Sequence, residues 1–220
     1  PYTDPEILRA NLAGVILSMV SLRLGDIADF GFVSPPSPRA IADGLAELGE
    51  LGAVTLRSDR PPKLTAVGRA LARLPIDPRP ARMLVAARDL GCVDDVLVVA
   101  AALSIPDVRM RPAEKRESAD EAHRRFDEPG SDFLALLNLW DYLQESRTSL
   151  SAGQFRRQCD REFLHWTRIR EWRDLHRQLQ RTVSDLGWPT DRDRERNPEA
   201  VHQAILAGLL SNIAARKGDS

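Results

Sequence analysis

The sequence predicts a mostly helical protein, a small winged-helix domain followed by a helical bundle. Three observations carry that prediction. Residues 64–105 read as three short helices with clear start and stop signals. Thr65 caps the first, which ends before Pro75; Asp77 caps the second, with Pro78 at its first position and Gly91 just past its end. The third spans residues 93–104 and stops before Pro106, and its run 96–103 is apolar all round. A helix apolar on every side is buried on every side, so the rest of the chain must pack around it. Upstream of this stretch, helices lead into a short hairpin, which is the winged-helix order.

The elements follow in chain order. Asp4-Pro5 opens a helix over 4–20, whose Ile7, Leu8, Leu12, Val15, Ile16 and Met19 leave little polar surface. Residues 25–32 form a break with room for one helical turn, and must hold the middle helix if 4–73 is a winged helix. Ser37 caps a helix over 38–51, ended by Gly52. Residues 53–56 and 63–64 flank a Pro-rich tip and read as a hairpin. A charged helix is expected over 113–126. Ser131 caps an apolar helix ending at Leu143, and 148–153 is a polar linker. A long helix covers 154–186, with a break in its first half, because Phe163 and Trp166 project onto its polar side. Residues 191–196 read as a solvated charge run, and a last helix covers 198–214.

Composition bounds the function. The 220 residues suit one large or two small domains, and the net charge of −1 leaves no global attraction for nucleic acid, so any basic surface is local. The bias to 28 Arg over 3 Lys fits genomic base composition in an Ala-rich chain. Cys92 and Cys159 read as reduced core thiols of a cytoplasmic protein. No signal peptide is visible and no apolar run is long enough for a membrane. The chain begins at Pro1 with helix grammar at once, as a piece of a longer protein would.

The segment 64–92, LT..GR.LA.LP.DPR.ARML..A...GC, resembles the junction between the winged-helix domain and the helical ratchet (helicase-associated) domain of DEAH-box RNA helicases. HRRFDEPGSDFLALLNLW (123–140) and FLHWTRIREWRDLHRQL (163–179) resemble the bacterial HrpA type more than the eukaryotic splicing type, which places its Arg where this chain has Thr167. The resemblance runs from Asp4 to about Ala214. It implies a winged helix over 1–76, a ratchet bundle over 77–187, and a linker with C-terminal helix over 188–220 that leads to a further domain. It also implies a role: an accessory region of an ATP-dependent RNA helicase, packed against the parent's ATPase domains and lining the channel for single-stranded RNA. ATP and Mg²⁺ would then belong to those motor domains, with no cofactor in this chain. Two other readings stay open, a stand-alone winged-helix regulator with a helical dimerisation domain and a scaffold that binds only protein. The oligomeric state stays open too.

Asp120-Glu121-Ala122-His123 spells the family's motor tetrad, but it follows the polar run Glu114–Ser118 rather than an apolar strand. It reads as a solvated helix. No Lys is followed by Ser or Thr, so the phosphate loop's Gly-Lys-Ser/Thr is missing. His165 and His176, about 16 Å apart on a helix, are too far from each other to share a metal. Asp94-Asp95 reads as a helix cap. The expected exposed face of the helix before the wing carries Asp43, Glu47 and Glu50 against Arg39, which repels a duplex.

The positive feature is a stripe. Arg170, Arg173, Arg177 and Arg181, three and four residues apart, lie opposite Trp172, Leu175, Leu179, Val183 and Leu186. Such a stripe can track a phosphate backbone; a solvated face, with Asp174 and Gln178 beside it, has the same pattern. Arg109, Arg111, Arg124 and Arg125 form the next cluster.

Overall fold

A computed structural model describes residues 12–57, 60–190 and 195–210. It is mostly helical, with one two-stranded antiparallel sheet. The chain divides into two compact units, 1–89 with 203–220 and 90–202.

In the first unit α1 (Leu12–Leu22) buries Ala13, Ile16, Leu17 and Met19 and packs on α2 (Pro38–Glu50). The part of the expected first helix before Leu12 lies outside the described residues. Ser37 caps α2 as expected, its Oγ accepting from the Ala40 N–H at 3.2 Å. Between α1 and α2 stands one hydrogen-bonded turn instead of a middle helix. The Asp26 carboxylate accepts the Ala28 N–H at 2.9 Å and caps that turn, which the chain after Asp29 does not continue. Ile27 pins that turn into the core.

The hairpin pairs β1 (Val54–Arg57) with β2 (Arg60–Leu64) in the register Val54↔Leu64 and Thr55↔Lys63, and it extends to Arg57↔Arg60, further into the tip than expected. Pro61 and Pro62 therefore stand in a strand. Two strands leave only edges, where a residue without an N–H is tolerated. Thr65 then caps α3 (Ala66–Leu71), accepting from Gly68 N–H at 3.0 Å and donating to the Gly52 carbonyl at 2.6 Å. Gly68 has a steric reason to be glycine: a Cβ there would lie 1.9 Å from the Ala53 carbonyl oxygen. The helix α4 (Pro78–Leu90) begins at the expected proline, and its Ala81, Met83, Leu84, Val85 and Ala87 are buried. Residues 78–89 group with the first unit, whereas the resemblance assigns them to the bundle.

The second unit is built around α5 (Val93–Leu103). Val93 and residues 96–101 are buried, while at the end of the apolar run Ala102 is half-buried and Leu103 reaches solvent, at 44% exposure. Around it pack α7 (Asp132–Ser149) and α9 (Trp166–Asp185). Trp172 is fully buried, and its indole N–H donates to the Val98 carbonyl at 2.9 Å. Asp94 and Asp95 lie inside the first turn of α5, and the cap position is Cys92, which makes no side-chain cap bond.

The remaining elements refine the expected boundaries. The charged segment is a 3-10 turn (Ala113–Lys115) followed by α6 (Arg116–Arg124). Ser131 caps α7, which runs past Leu143 to Ser149. The last turn of α7 is polar, and the Thr148 and Ser149 hydroxyls donate back to the Glu145 carbonyl. The expected linker shrinks to Leu150 and Ser151, the latter closing a capping box with Gln154 on α8 (Ala152–Arg161). The long helix breaks between α8 and α9 at residues 162–165. Phe163 sits there at φ +55°, a strained region for a bulky residue. Backbone bonds hold this elbow: Met110 N–H to Phe163 O at 2.8 Å and His165 N–H to Val108 O at 2.7 Å. The final helix, α10 (Pro198–Leu206), ends in a turn at Ala207 and Gly208; residues 211–214 of the expected helix lie outside the described residues. Both cysteines are buried and neither is in a disulfide. Among the described residues no helix is long and apolar enough to cross a membrane.

Candidate nucleic-acid interface

The arginine stripe lies on α9, whose period places Ile169, Trp172, Leu179 and Val183 in the core and the arginines outside it. The four are not equivalent. Arg177 pairs with Asp174 one turn away. Arg170 stands over the Trp166 ring, 6.0 Å from its centre. Arg173 and Arg181 make no ion pair with the described residues, and Arg173 is half-buried. Nor is the stripe a plain ridge. Arg173 and Arg177 turn toward a cavity of about 440 Å³ whose other walls are α5 and α7.

The second cluster is mostly neutralised from within. Arg109 pairs with Asp107 at 2.9 Å and Arg111 with Asp120 at 2.7 Å. Arg124 pairs with Glu121, and Arg125 with Glu162 at 2.7 Å. The Arg125 guanidinium also stacks on Tyr142, 4.3 Å from the ring centre, and on Phe126. Burial pushes the Asp107 carboxyl up, but the Arg109 bonds outweigh it and hold the group below the usual carboxylate range. Arg125 belongs to a polar network in which the Tyr142 hydroxyl donates to Glu162 at 2.7 Å. Burial, and then that carboxylate, raises the Tyr142 pKa.

The tetrad Asp120–His123 lies on α6, away from any strand. His123 is buried, and its Nε2 stands 3.0 Å from the Glu162 carbonyl oxygen and 3.3 Å from that of Phe163. Two acceptors there require the proton on Nε2, and the buried Nδ1 has no hydrogen-bond partner among the described residues. Burial lowers its pKa first, with the two carbonyl bonds opposing and nearby Arg111 and Arg109 reinforcing. The residue therefore ties α6 to the α8–α9 elbow. Cys159, beside the elbow, is likewise inert: burial, then Glu162 and Asp160, push its thiol up to about 11.

Three features of the site were not legible beforehand. Arg196 stands in the expected solvated run, yet it bridges Asp95 at 3.0 Å and Asp141 at 2.9 Å across the cavity; residues 191–194 lie outside the described residues. Trp140 stacks on His176 and Trp172, and no period marks it as a wall. Gln144 lines the cavity, and its Nε2 is buried with no hydrogen-bond partner among the described residues. In the first unit, Glu47 is not free on a recognition helix: its side chain, 19% exposed, meets Arg79 of α4 at 3.3 Å, with Glu50 at 3.9 Å. Among the described residues no group of His, Cys, Asp and Glu could hold a metal ion.

Comparison with known proteins agrees with this architecture. Residues 77–136 match the helicase associated domain (HA2), ratchet-like. The chain is 48% identical, over 99% of its length, to the ATP-dependent RNA helicase HrpA of Escherichia coli and to the HrpA homolog of Haemophilus influenzae. It spans 17% of the length of these curated relatives. The chain is thus similar, along nearly its whole length, to a region of the HrpA helicases, and its residues 77–136 match the model of the helicase associated domain.

Proposed function

We propose that this chain is the accessory region of a cytoplasmic ATP-dependent RNA helicase, packing against the parent's motor domains and lining the channel for single-stranded RNA. The observation that carries the proposal is the 48% identity over 99% of the chain to ATP-dependent RNA helicases. In this reading ATP and Mg²⁺ are held by the motor domains, and the chain contributes no catalytic group. The winged helix, whose Glu47 and Glu50 engage Arg79, acts as a packing module. The RNA surface is the α9 stripe, where Arg173 and Arg181 have no internal counter-ion among the described residues, and not the paired cluster at Arg109, Arg111, Arg124 and Arg125.

Anisotropy titrations of single-stranded RNA over a salt series test this. Affinity falls with salt at a log–log slope of about −0.7 per phosphate neutralised. Arg173→Glu with Arg177→Glu flattens the slope while leaving the thermal unfolding in place. A double variant that binds with unchanged affinity and slope would show the stripe to be a solvated face. The alternative is then the second cluster. RNA-stimulated ATP hydrolysis that stays with the purified chain would defeat the non-catalytic part.

A further inference from the structure

We infer that the cavity between α5, α7 and α9 receives a nucleobase of the single strand whose phosphates lie along the α9 arginines. The inference rests on the RNA-binding reading above and names a site within it.

The cavity's size, about 440 Å³, is in the range of small-ligand pockets. Its mouth and its floor differ chemically. Arg173 and Arg177 stand at one wall, from the same helix face that carries Arg170 and Arg181. Trp140 and His176, with ring centres 4.6 Å apart, supply an aromatic wall, and Val98 and Leu137 an apolar one. Gln144 lines it too, and its amide nitrogen is buried without an acceptor among the described residues. A buried donor left unpaired is costly, and such groups are rare in folded proteins. A planar ligand with apolar faces and polar acceptors on its edge satisfies the wall and the amide together, and a nucleobase has that form.

The carboxylates on the walls do not forbid a polyanion. Asp95 and Asp141 share one counter-ion, Arg196, at 3.0 and 2.9 Å, so one of their two charges is answered inside the cavity. Asp94 also lines the cavity, so its three acids stand beside three arginines, Arg173, Arg177 and Arg196. The sugar–phosphate chain would run over the arginines while one base turns inward.

The test compares a short oligouridylate with an oligomer of the same length that lacks all bases, using the 220-residue chain. The base-bearing strand is expected to bind roughly tenfold more tightly, because one sequestered base contributes on that scale. Gln144→Met keeps the side-chain volume and removes the donor. It is expected to bring oligouridylate down toward the base-free strand, with the salt slope unchanged. A strand carrying 4-thiouridine, cross-linked by near-ultraviolet light to the unaltered chain, should place its adduct on the peptide with Trp140 and Gln144. This arm decides the matter even if the variant does not fold. Equal binding of both oligomers with a normal salt slope, or adducts confined to other peptides, would overturn the base site and leave the RNA reading standing. Binding of neither oligomer would overturn both.

Discussion

The helices α5 and α6 are neighbours along the chain and are held in place by different physics. Seven of the eleven residues of α5 are buried, and larger helices cover it. Its position follows mainly from apolar area, with the Trp172 indole bond to Val98 added to it; its N-terminus lacks a side-chain cap. By contrast α6 buries only Ala119 and His123. Its remaining side chains are exposed or paired on the surface, as Asp120 is with Arg111 and Glu121 with Arg124. One imidazole against two carbonyls anchors it to the elbow. A non-directional force thus sets the centre of the unit and a directional one its edge. The letters of the motor tetrad fall on the edge helix, where they make a polar face and one buried clamp.

Removing the centre should have the largest effect. Trp172 is fully buried, stacks on Trp140 with ring centres 4.9 Å apart and donates to Val98. Trp172→Ala is expected to cost about 3–5 kcal/mol in denaturant unfolding. A loss below about 1 kcal/mol would mean that α9 does not depend on α5 for its place, since exposed sites rarely exceed ±0.5 kcal/mol.

Cutting the edge anchor should cost less. His123→Ala takes the ring donor from the Glu162 carbonyl, while Phe163 O keeps its bond from Met110 N–H, and about 1–3 kcal/mol is expected. The same residue gives the edge a pH dependence that the centre lacks. Its folded pKa lies below the ordinary 6.5, so the unfolded chain binds more protons between the two values. Stability is full above 6.5 and falls as pH drops from 6.5 toward the folded value. Asp107 and Asp120, held below 3.8, stay ionised in that window and act only at lower pH. Melting temperatures of parent and His123→Gln should therefore diverge at neutral pH and draw together near pH 5. Parallel curves would assign the acid sensitivity to other groups.

A cap lies between these extremes. Ser131 accepts from Leu134 N–H at 3.2 Å and bonds the His202 ring at 2.6 Å. Ser131→Ala should cost about 1 kcal/mol, read from chemical denaturation.

The sequence resolved the centre better than the edge because repeated, non-directional signals leave periods and single contacts do not. The apolar run at 96–103, the caps Ser37, Thr65 and Ser131, and the need for a break near Phe163 all followed from period and cap chemistry. Gly68 was visible as a motif letter, but the Ala53 carbonyl that requires it comes from the hairpin next door. At 25–32 a single turn capped by the Asp26 carboxylate stands in place of the middle helix, a local arrangement that leaves no period. For the candidate interface, spacing gave the α9 stripe. It gave no hint that Arg196, a hundred residues from Asp95 in a charged run, would close one wall of the cavity, or that Arg109, Arg111, Arg124 and Arg125 would be spent on internal acids. Long-range pairs such as Arg196–Asp95 and Arg125–Glu162 carry no period, whereas the i,i+3 pair of Arg124 with Glu121 is of a kind that spacing can show.

The smallest expected effect is also the sharpest test of the edge. Arg124 and Glu121 have side chains 67% and 68% exposed, and their pairing occurs between long side chains in water. The Coulomb gain there is screened and offset by lost rotamer freedom. Arg124→Ala should accordingly move stability by no more than about 0.5 kcal/mol. If α6 is held by His123 alone, amide exchange along α6 in Arg124→Ala should match the parent, while His123→Ala should speed it. Faster exchange in Arg124→Ala, to the degree seen in His123→Ala, would show that surface pairs share the anchoring of this helix. The contrast with α5 would then be one of degree.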